Sequence, residues 1–540
     1  MDLSRRDLLT IGGLTLAGAT VAPRAARAQA PKRGGTLTLR MWDPPHFDPH
    51  AAGGLSYKLH TALTFTHSRL VKHKAGPGVT PGTFAIEGDL AESWSQPSET
   101  TYVFKLRRGV RWHSKPPVNG RELTAEDVRY TVERFQTTKG NANAFMLKMV
   151  SKVEALDSHT VKFTLKEPFA WFLDTLASPM VVAIVARKCV EKFGDLKKPE
   201  SMIGSGPWML ESYKPNQGFV YVRNPSYFVA GLPLIDRIEV SIDEDNASRI
   251  SSFLGGKYDL GWENPGTINR TDWVQIKNNV KRPMRTAEFP SNVMSHISMR
   301  TDQKPFSDVR VRQAISLALD RQEIIDGVAE GVGAVNPPVP AGLRDWALPI
   351  NQLGEGARYY KHDPAEARKL LAAAGYPNGF PAQVCFTTYG STTLVDAAQL
   401  VLKSLKDVGI DAKLDQKEYG AYIQTCFYGN FPSMAYGPQT PFLEPDTFLY
   451  GQYYPGEPRN QSHINDPALA DMLVRQRRTF DLAKRRKLIH EIQRYLARQQ
   501  YYVSTPSGVY IAVWDAALKN YGPNIGYDYG GRLVAAWLDR

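Results

Sequence analysis

Cysteine is scarce: Cys189, Cys385 and Cys426 are the only three in 540 residues. So few exclude a disulfide-built scaffold and a zinc site made of four thiolates. An odd number allows at most one bridge, and we read all three as buried free thiols. Beyond the first thirty residues no apolar run reaches the ~20 residues that a membrane-spanning helix needs. Charge of one sign is not gathered anywhere: Lys and Arg total 66 against 54 Asp and Glu, a net +12, without the basic arm or stripe of a nucleic-acid binder. There is no internal repeat, which sets aside solenoids and propellers.

Catalytic spacing is missing too. Ser205 in Gly204-Ser205-Gly206 lacks the flanks of a G-x-S-x-G nucleophile elbow. His490-Glu491 is followed by Arg494 where a second histidine ligand belongs, so HExxH fails. His46 and His50 stand four apart, but Pro44, Pro45 and Pro49 keep them off one helical face. These two, with His67 and His73, read as surface or structural histidines. No metal site and no cofactor is expected. The basic run Lys484-Arg485-Arg486-Lys487 reads as a solvated helix face.

Aromatic residues make up 11% of the chain and hydrophobic ones 42%, enough for large cores in two or three packed bodies. The start, MDLSRRDLLTIGGLTLAGATVAPRAARAQA, has the layout of a secretory signal: a charged end, an apolar stretch from Leu8 to Ala22, then small residues. Ser4-Arg5-Arg6-Asp7-Leu8-Leu9 resembles the twin-arginine export signal. Ala26-Arg27-Ala28 fits the small-x-small rule, placing cleavage before Gln29, with Ala28-Gln29-Ala30 as the alternative. Export makes nucleic acid an unsuitable partner.

Alternation marks strands at Thr36–Arg40, Thr101–Leu106 and Val161–Leu165. Ile203-Gly204-Ser205-Gly206-Pro207-Trp208 is a tight turn feeding a further strand. Thr124 with Asp127 predicts a capped helix whose buried face is Val128, Thr131, Val132 and Phe135. Asp308, Asp320 and Asp363 each precede a helical pattern; the last is ended by Gly375 and Pro377. An apolar set from Leu469 to Leu496 predicts one long helical region with a basic outer side. Strands and helices alternate throughout, an α/β arrangement.

In this order the segments GGTLTL, DPPHFDPH, GDLAESW, YVFKLRRGVRWH, LTAEDVRYTVERF, VKFTLKEPFAWFL, IGSGPWML, RNPSYF, KPFSDVRVRQAISLALDRQEII, AEARKLLAAAGYPNGF and VGIDAKL resemble the family 5 extracellular solute-binding proteins of ABC transporters, the peptide/nickel/opine group. The resemblance runs from about Gly34 to the C-terminus. It implies a two-lobed periplasmic-binding-protein fold with an extra N-terminal subdomain and a hinge between lobes. Mapped here, residues 1–28 are the signal peptide. Lobe I takes 33–288, including the subdomain at about 60–202; lobe II takes 289–505, and 506–540 return to lobe I.

The same resemblance implies an exported, soluble, periplasmic monomer without catalysis. It would capture a small organic solute (peptide-like, opine or sugar conjugate) and deliver it to the membrane permease subunits of an ABC importer. Trp42 at the end of the first strand, Trp262, Tyr389, and Tyr436, Pro438 and Gln439 in the loop before Glu444 are the expected ligand contacts. Two departures bear on the solute. Dipeptide-binding members carry an aspartate in the 436–443 loop for the peptide ammonium and an arginine near position 388 for the carboxylate. This chain has no acid in that loop and has Thr388. A free dipeptide would leave both its charges without buried partners. The competing readings are a secreted hydrolase on an α/β scaffold, for which no catalytic set has the right spacing, and a periplasmic chaperone or chemoreceptor ligand-binding protein on the same fold.

Overall fold

The first strand, Thr36–Met41, lies at the centre of the largest sheet. It runs parallel to Arg237–Ile242 on one side and to Leu260–Trp262 on the other. Across the sheet the order is Met284–Pro290, Ser507–Asp515, Leu260–Trp262, Thr36–Met41, Arg237–Ile242, Gly218–Arg223 and Trp208–Lys214, with the short Gly333–Ala334 paired to the start of Ser507–Asp515. Residues from both ends of the chain therefore build one sheet. This computed structural model describes residues 30–51, 56–141, 143–243, 245–262, 268, 270–388 and 391–540. The export signal and its cleavage site lie outside the described residues.

A second sheet has the order Ile410–Gln416, Phe380–Phe386, Met434–Pro438, Ser295–Met299 and Tyr502–Ser504. A third is an antiparallel sheet of Ala91–Ser98, Thr101–Leu106, Thr160–Leu165 and Val150–Asp157. Each sheet has its own hydrophobic core. Phe104, Trp112, Phe135, Phe163 and Trp171 pack beneath the third, Leu37, Leu39, Trp208 and Tyr221 beneath the first, and Ile297, Ile315, Phe386 and Leu405 beneath the second.

Local signals explain the elements. Val128, Thr131, Val132 and Phe135 are all buried on the helix Ala125–Thr137, and the Asp127 carboxylate takes the Thr124 N–H at 3.0 Å. Asp308, Asp320 and Asp363 each accept a first-turn N–H from Arg310, Glu323 and Glu366, removing orphan donors at the helix starts. In the 203–208 turn a Cβ on Gly204 would sit 1.9 Å from the Thr66 carbonyl oxygen. Glycine is required there because Gly206 N–H donates to that same oxygen at 2.8 Å.

Three expectations are corrected. The region from Leu469 to Leu496 is two helices, Pro467–Arg477 and Leu482–Gln499. Asp481 ends the continuity by taking the Lys484 N–H. The basic run is not one solvated face. Four consecutive helical residues sweep most of a circle, and Arg485 falls on the buried side with Ile489, Ile492 and Leu496 while Lys484 and Lys487 stay exposed. The cysteines are not all free: Cys385 and Cys426 form a disulfide with a Cα–Cα distance of 6.2 Å. Cys385 ends a central strand, and a short turn at Cys426–Tyr428 packs into the same small core with Tyr422, Phe431 and Ala435. Cys189 is a buried free thiol.

Candidate functional site between the two large sheets

Apart from the short first-sheet excursion at Gly333–Ala334, the chain passes between the first and second sheets at Ser291–Met294 and at Thr505–Pro506. These two crossings are tied together. Thr505 donates its N–H and its hydroxyl to Ser295 O, at 2.9 and 3.1 Å. The fully buried Asn292 accepts from the Tyr510 hydroxyl at 3.2 Å and donates to Phe442 O at 2.8 Å. Asn336 donates to Thr505 O and to Ser507 Oγ, while Ser504 Oγ donates back to Asn336 O at 2.7 Å. Buried amides and hydroxyls thus pair at the crossings instead of being left unsatisfied, as buried polar groups must be.

On the first-sheet side aromatic rings pack together near the first strand. Trp42, directly after the first strand, meets the Tyr57 ring edge-on at 5.1 Å and the Tyr529 ring at 6.5 Å. The Arg40 guanidinium lies 4.7 Å from the Trp42 ring. Tyr57 stacks on Tyr527 at 5.2 Å. From the second-sheet side comes the segment from Tyr436 to Leu443. Tyr436 and Pro438 lie in the strand Met434–Pro438, where a loop was expected, because this stretch pairs with Ser295–Met299. Tyr436 is 2% exposed. Its ring faces Phe386 at 6.4 Å and its hydroxyl meets Thr505 Oγ1 at 3.3 Å. Gln439 donates its N–H to Met294 O at 2.8 Å and accepts from Gln452 at 3.4 Å. Leu443 packs on the first-sheet core and against Gly526. The two sides are in contact at Leu443.

Apart from the Arg40 guanidinium on Trp42, the groups named here are uncharged. Burial pushes the Tyr436 phenol up to about 12, against the opposing bonds from Thr505 and Ser295. Burial also raises Tyr510 and Tyr527. These groups offer ring faces and neutral hydroxyls, chemistry suited to an organic solute held by stacking and hydrogen bonds. Glu444, which follows Leu443, supplies no free acid: its carboxylate is bonded to the Arg485 guanidinium and to the Asp446 N–H. Among the described residues no three His, Cys, Asp or Glu side chains gather as a metal site, and no helix is long and apolar enough to cross a membrane.

Of the six expected contacts, Tyr436, Pro438 and Gln439 come together beside the crossings. Trp42 lies at the end of the first strand. The backbone of Trp262 pairs with Val513 in the first sheet, and Tyr389 lies outside the described residues. Tyr57, Asn292, Tyr510 and Tyr527, which lie around the crossings, were not named from sequence. The only signal for them was their nearness to the crossings, which is invisible before the sheets are assembled.

Residues 85–460 match the family described as bacterial extracellular solute-binding proteins, family 5 Middle. Heme-binding protein A of Haemophilus influenzae is 27% identical over 88% of this chain and 87% of its own length. Di/tripeptide-binding protein 3 of Pseudomonas aeruginosa is 29% identical over 84% and 86%. Among solved structures, periplasmic binding protein DppA from Helicobacter pylori with the peptide STSA superposes with a TM-score of 0.76 at 24% identity, covering 94% of this chain and 99% of that one. The binding protein AgaA of A. tumefaciens R10 with agropinic acid gives 0.75 at 23% identity over 94% and 99%. The likeness of fold is that of two-lobed periplasmic binding proteins, and the chain belongs to the family 5 extracellular solute-binding proteins.

Proposed function

We propose that this chain is the periplasmic receptor of an ABC importer, working as a monomer. It captures a peptide-like or other small organic solute between its two large sheets and delivers it to the permease. The observation that supports the reading is the pair of hydrogen-bonded crossings between the two large sheets, with Leu443 of the 436–443 segment packed against the first-sheet core. Hinge closure over a solute makes occupancy readable by a membrane partner without any chemistry on the solute. Trp42, Trp262, Tyr389, Tyr436, Pro438 and Gln439 are the proposed ligand contacts.

The relatives' names range over di- and tripeptides, haem and an opine, so the family alone does not choose a solute. The residues narrow it. With no acid in the 436–443 segment and with Glu444 already bonded to Arg485, a free dipeptide ammonium has no buried partner there. The favoured solutes are a longer peptide held by its backbone, an opine or a sugar conjugate.

The test is mass spectrometry of small molecules released on denaturing the purified protein, followed by calorimetric titration of the identified compound. One organic solute at near-stoichiometric yield, rebinding to the emptied protein, supports the reading. Absence of any released solute, together with no thermal shift from oligopeptides, opines or sugar conjugates, overturns it.

A further inference from the structure

Away from the crossings, a second contact joins bodies with different cores. The segment Glu167–Trp171 follows the third-sheet strand Thr160–Leu165 and ends in that sheet's core. It lies on the helices Pro467–Arg477 and Leu482–Gln499. Ala170 donates its N–H to Arg477 O at 2.9 Å. Arg478 pairs with Glu167 at 3.0 Å. The Arg477 guanidinium stands 3.6 Å from the Tyr450 ring centre and 5.0 Å from that of Trp171. The Arg485 guanidinium lies between Trp171 at 4.6 Å and Trp346 at 5.2 Å.

Beneath this lies a closed set of buried charges. Arg485 bonds Glu444 and reaches Gln476 at 3.2 Å. Gln476 bonds Asp446, which also pairs with Arg477 at 3.5 Å. Burial pushes both carboxyls up, and the charges of Arg485 and Arg477 pull them back down. Buried ions depend on such pairing, and here the aromatic face of Trp171, contributed by the other body, covers Arg485. Separating the bodies admits water to Arg485 and Glu444 and changes the most expensive interactions in the region. Glu444 is joined by one peptide bond to Leu443, the end of the segment that closes against the first sheet.

We propose that Trp171, Arg477, Arg485 and Glu444 form a latch. It holds the third-sheet body against the helices of residues 467–499 and thereby sets the position of the 436–443 segment. The proposal goes beyond the receptor reading and draws on it only through that segment. Trp171 is a positioning residue, acting through Arg485 and Glu444 and touching no solute.

The test uses the full chain without added solute. Leu156 and Leu482 are exposed, at 55% and 57%, and stand on the two bodies. The native cysteines are bridged or buried, so Leu156→Cys and Leu482→Cys carry spin labels alone. The otherwise unchanged chain should give one narrow distance. Trp171→Ala and Arg477→Met should each move at least half of the molecules to a longer, broader distance, with circular dichroism unchanged. Glu444→Gln, which removes the carboxylate paired with Arg485, should shift the distribution in the same direction. If Trp171→Ala does not fold, Arg477→Met and Glu167→Ala decide. A broad or long distance in the otherwise unchanged chain overturns the latch, as does a wild-type distribution in the folded variants. A shift with Trp171→Ala but none with Glu444→Gln overturns its link to the 436–443 segment. None of these readings depends on finding the solute, so failure of the latch and failure of the receptor reading are separable.

Discussion

At the scale of single residues, the buried histidines govern behaviour in acid. Burial lowers His50 from 6.5 to about 3, His67 to about 4 and His113 to about 3. Asp48 moves oppositely to its own burial. Burial pushes its carboxyl up, but the hydrogen bond and charge of Arg134, with N–H groups of His50 and Leu196, outweigh it and hold the group at about 2. As pH falls below about 6.5 the unfolded chain takes up protons on these imidazoles and the folded chain does not. Near 3.8 the same becomes true of Asp48. For these four groups the unfolded state binds more protons throughout; Glu444 and Asp446, whose carboxyls burial pushes up, act in the opposite direction but are fewer, so stability is lost progressively from about pH 6.5 toward pH 3. Calorimetric melting midpoints should fall steadily across that window; a midpoint unchanged down to pH 4 would contradict the burial. The proposed ligand contacts give a second expectation. Tyr436→Ala and Trp262→Ala should each weaken binding of the identified solute by about 2 kcal/mol or more, as for aromatic hot spots, or roughly thirtyfold. Titration calorimetry on variants with native circular dichroism reads this directly, and unchanged affinity in both displaces the site. At this scale sequence reading named Tyr436 and Gln439, which lie beside the crossings, and did not name the Glu444–Arg485 pair, which joins residues 41 positions apart.

At the scale of elements, what was legible is what the physics makes local. The strands Thr36–Met41, Thr101–Leu106 and Thr160–Leu165 and the helix caps Thr124, Asp308, Asp320 and Asp363 depend on neighbours within four residues. The Cys385–Cys426 bridge was not legible, because it depends on the strand Phe380–Phe386 packing against the turn at Cys426–Tyr428. The same packing explains why Tyr436 and Pro438 are strand residues: pairing with Ser295–Met299 overrides the weak strand preference of Met434-Ala435-Tyr436-Gly437-Pro438. The bridge leads to a prediction. It closes a sequence separation of 41 residues, so Cys426→Ser should lower stability by about 2–4 kcal/mol. Urea unfolding with and without reductant measures this. Reductant should destabilise the parent chain and leave the variant unaffected; equal midpoints for the two chains without reductant would count against the pairing.

At the scale of the whole molecule, the bodies are joined by few covalent routes and many reversible contacts. The first and second sheets are linked at Ser291–Met294 and Thr505–Pro506, and the bonds of Asn292, Asn336 and Thr505 gather around those crossings. That Thr36–Met41 and Ser507–Asp515 share a sheet could not be read from periodicity, which reports a strand's faces but not its neighbours; only the resemblance spanning the chain pointed to it. Contacts between bodies with different cores include Leu443 against Gly526 and Trp171 with Arg477 and Arg485. A solute held between the sheets touches both sides only when they are closed, so it binds the closed form better and shifts the population toward it. To take the molecule from 1:99 to 99:1 closed, that preference must reach about 5.5 kcal/mol. Small-angle scattering of the emptied protein should therefore show a radius of gyration that contracts as the identified solute is added, saturating at the calorimetric stoichiometry. The Trp171→Ala variant should start more open and need more solute to reach the same compact end point. A radius unchanged by saturating solute, in a chain that calorimetry shows to be binding it, would mean that capture occurs without closure.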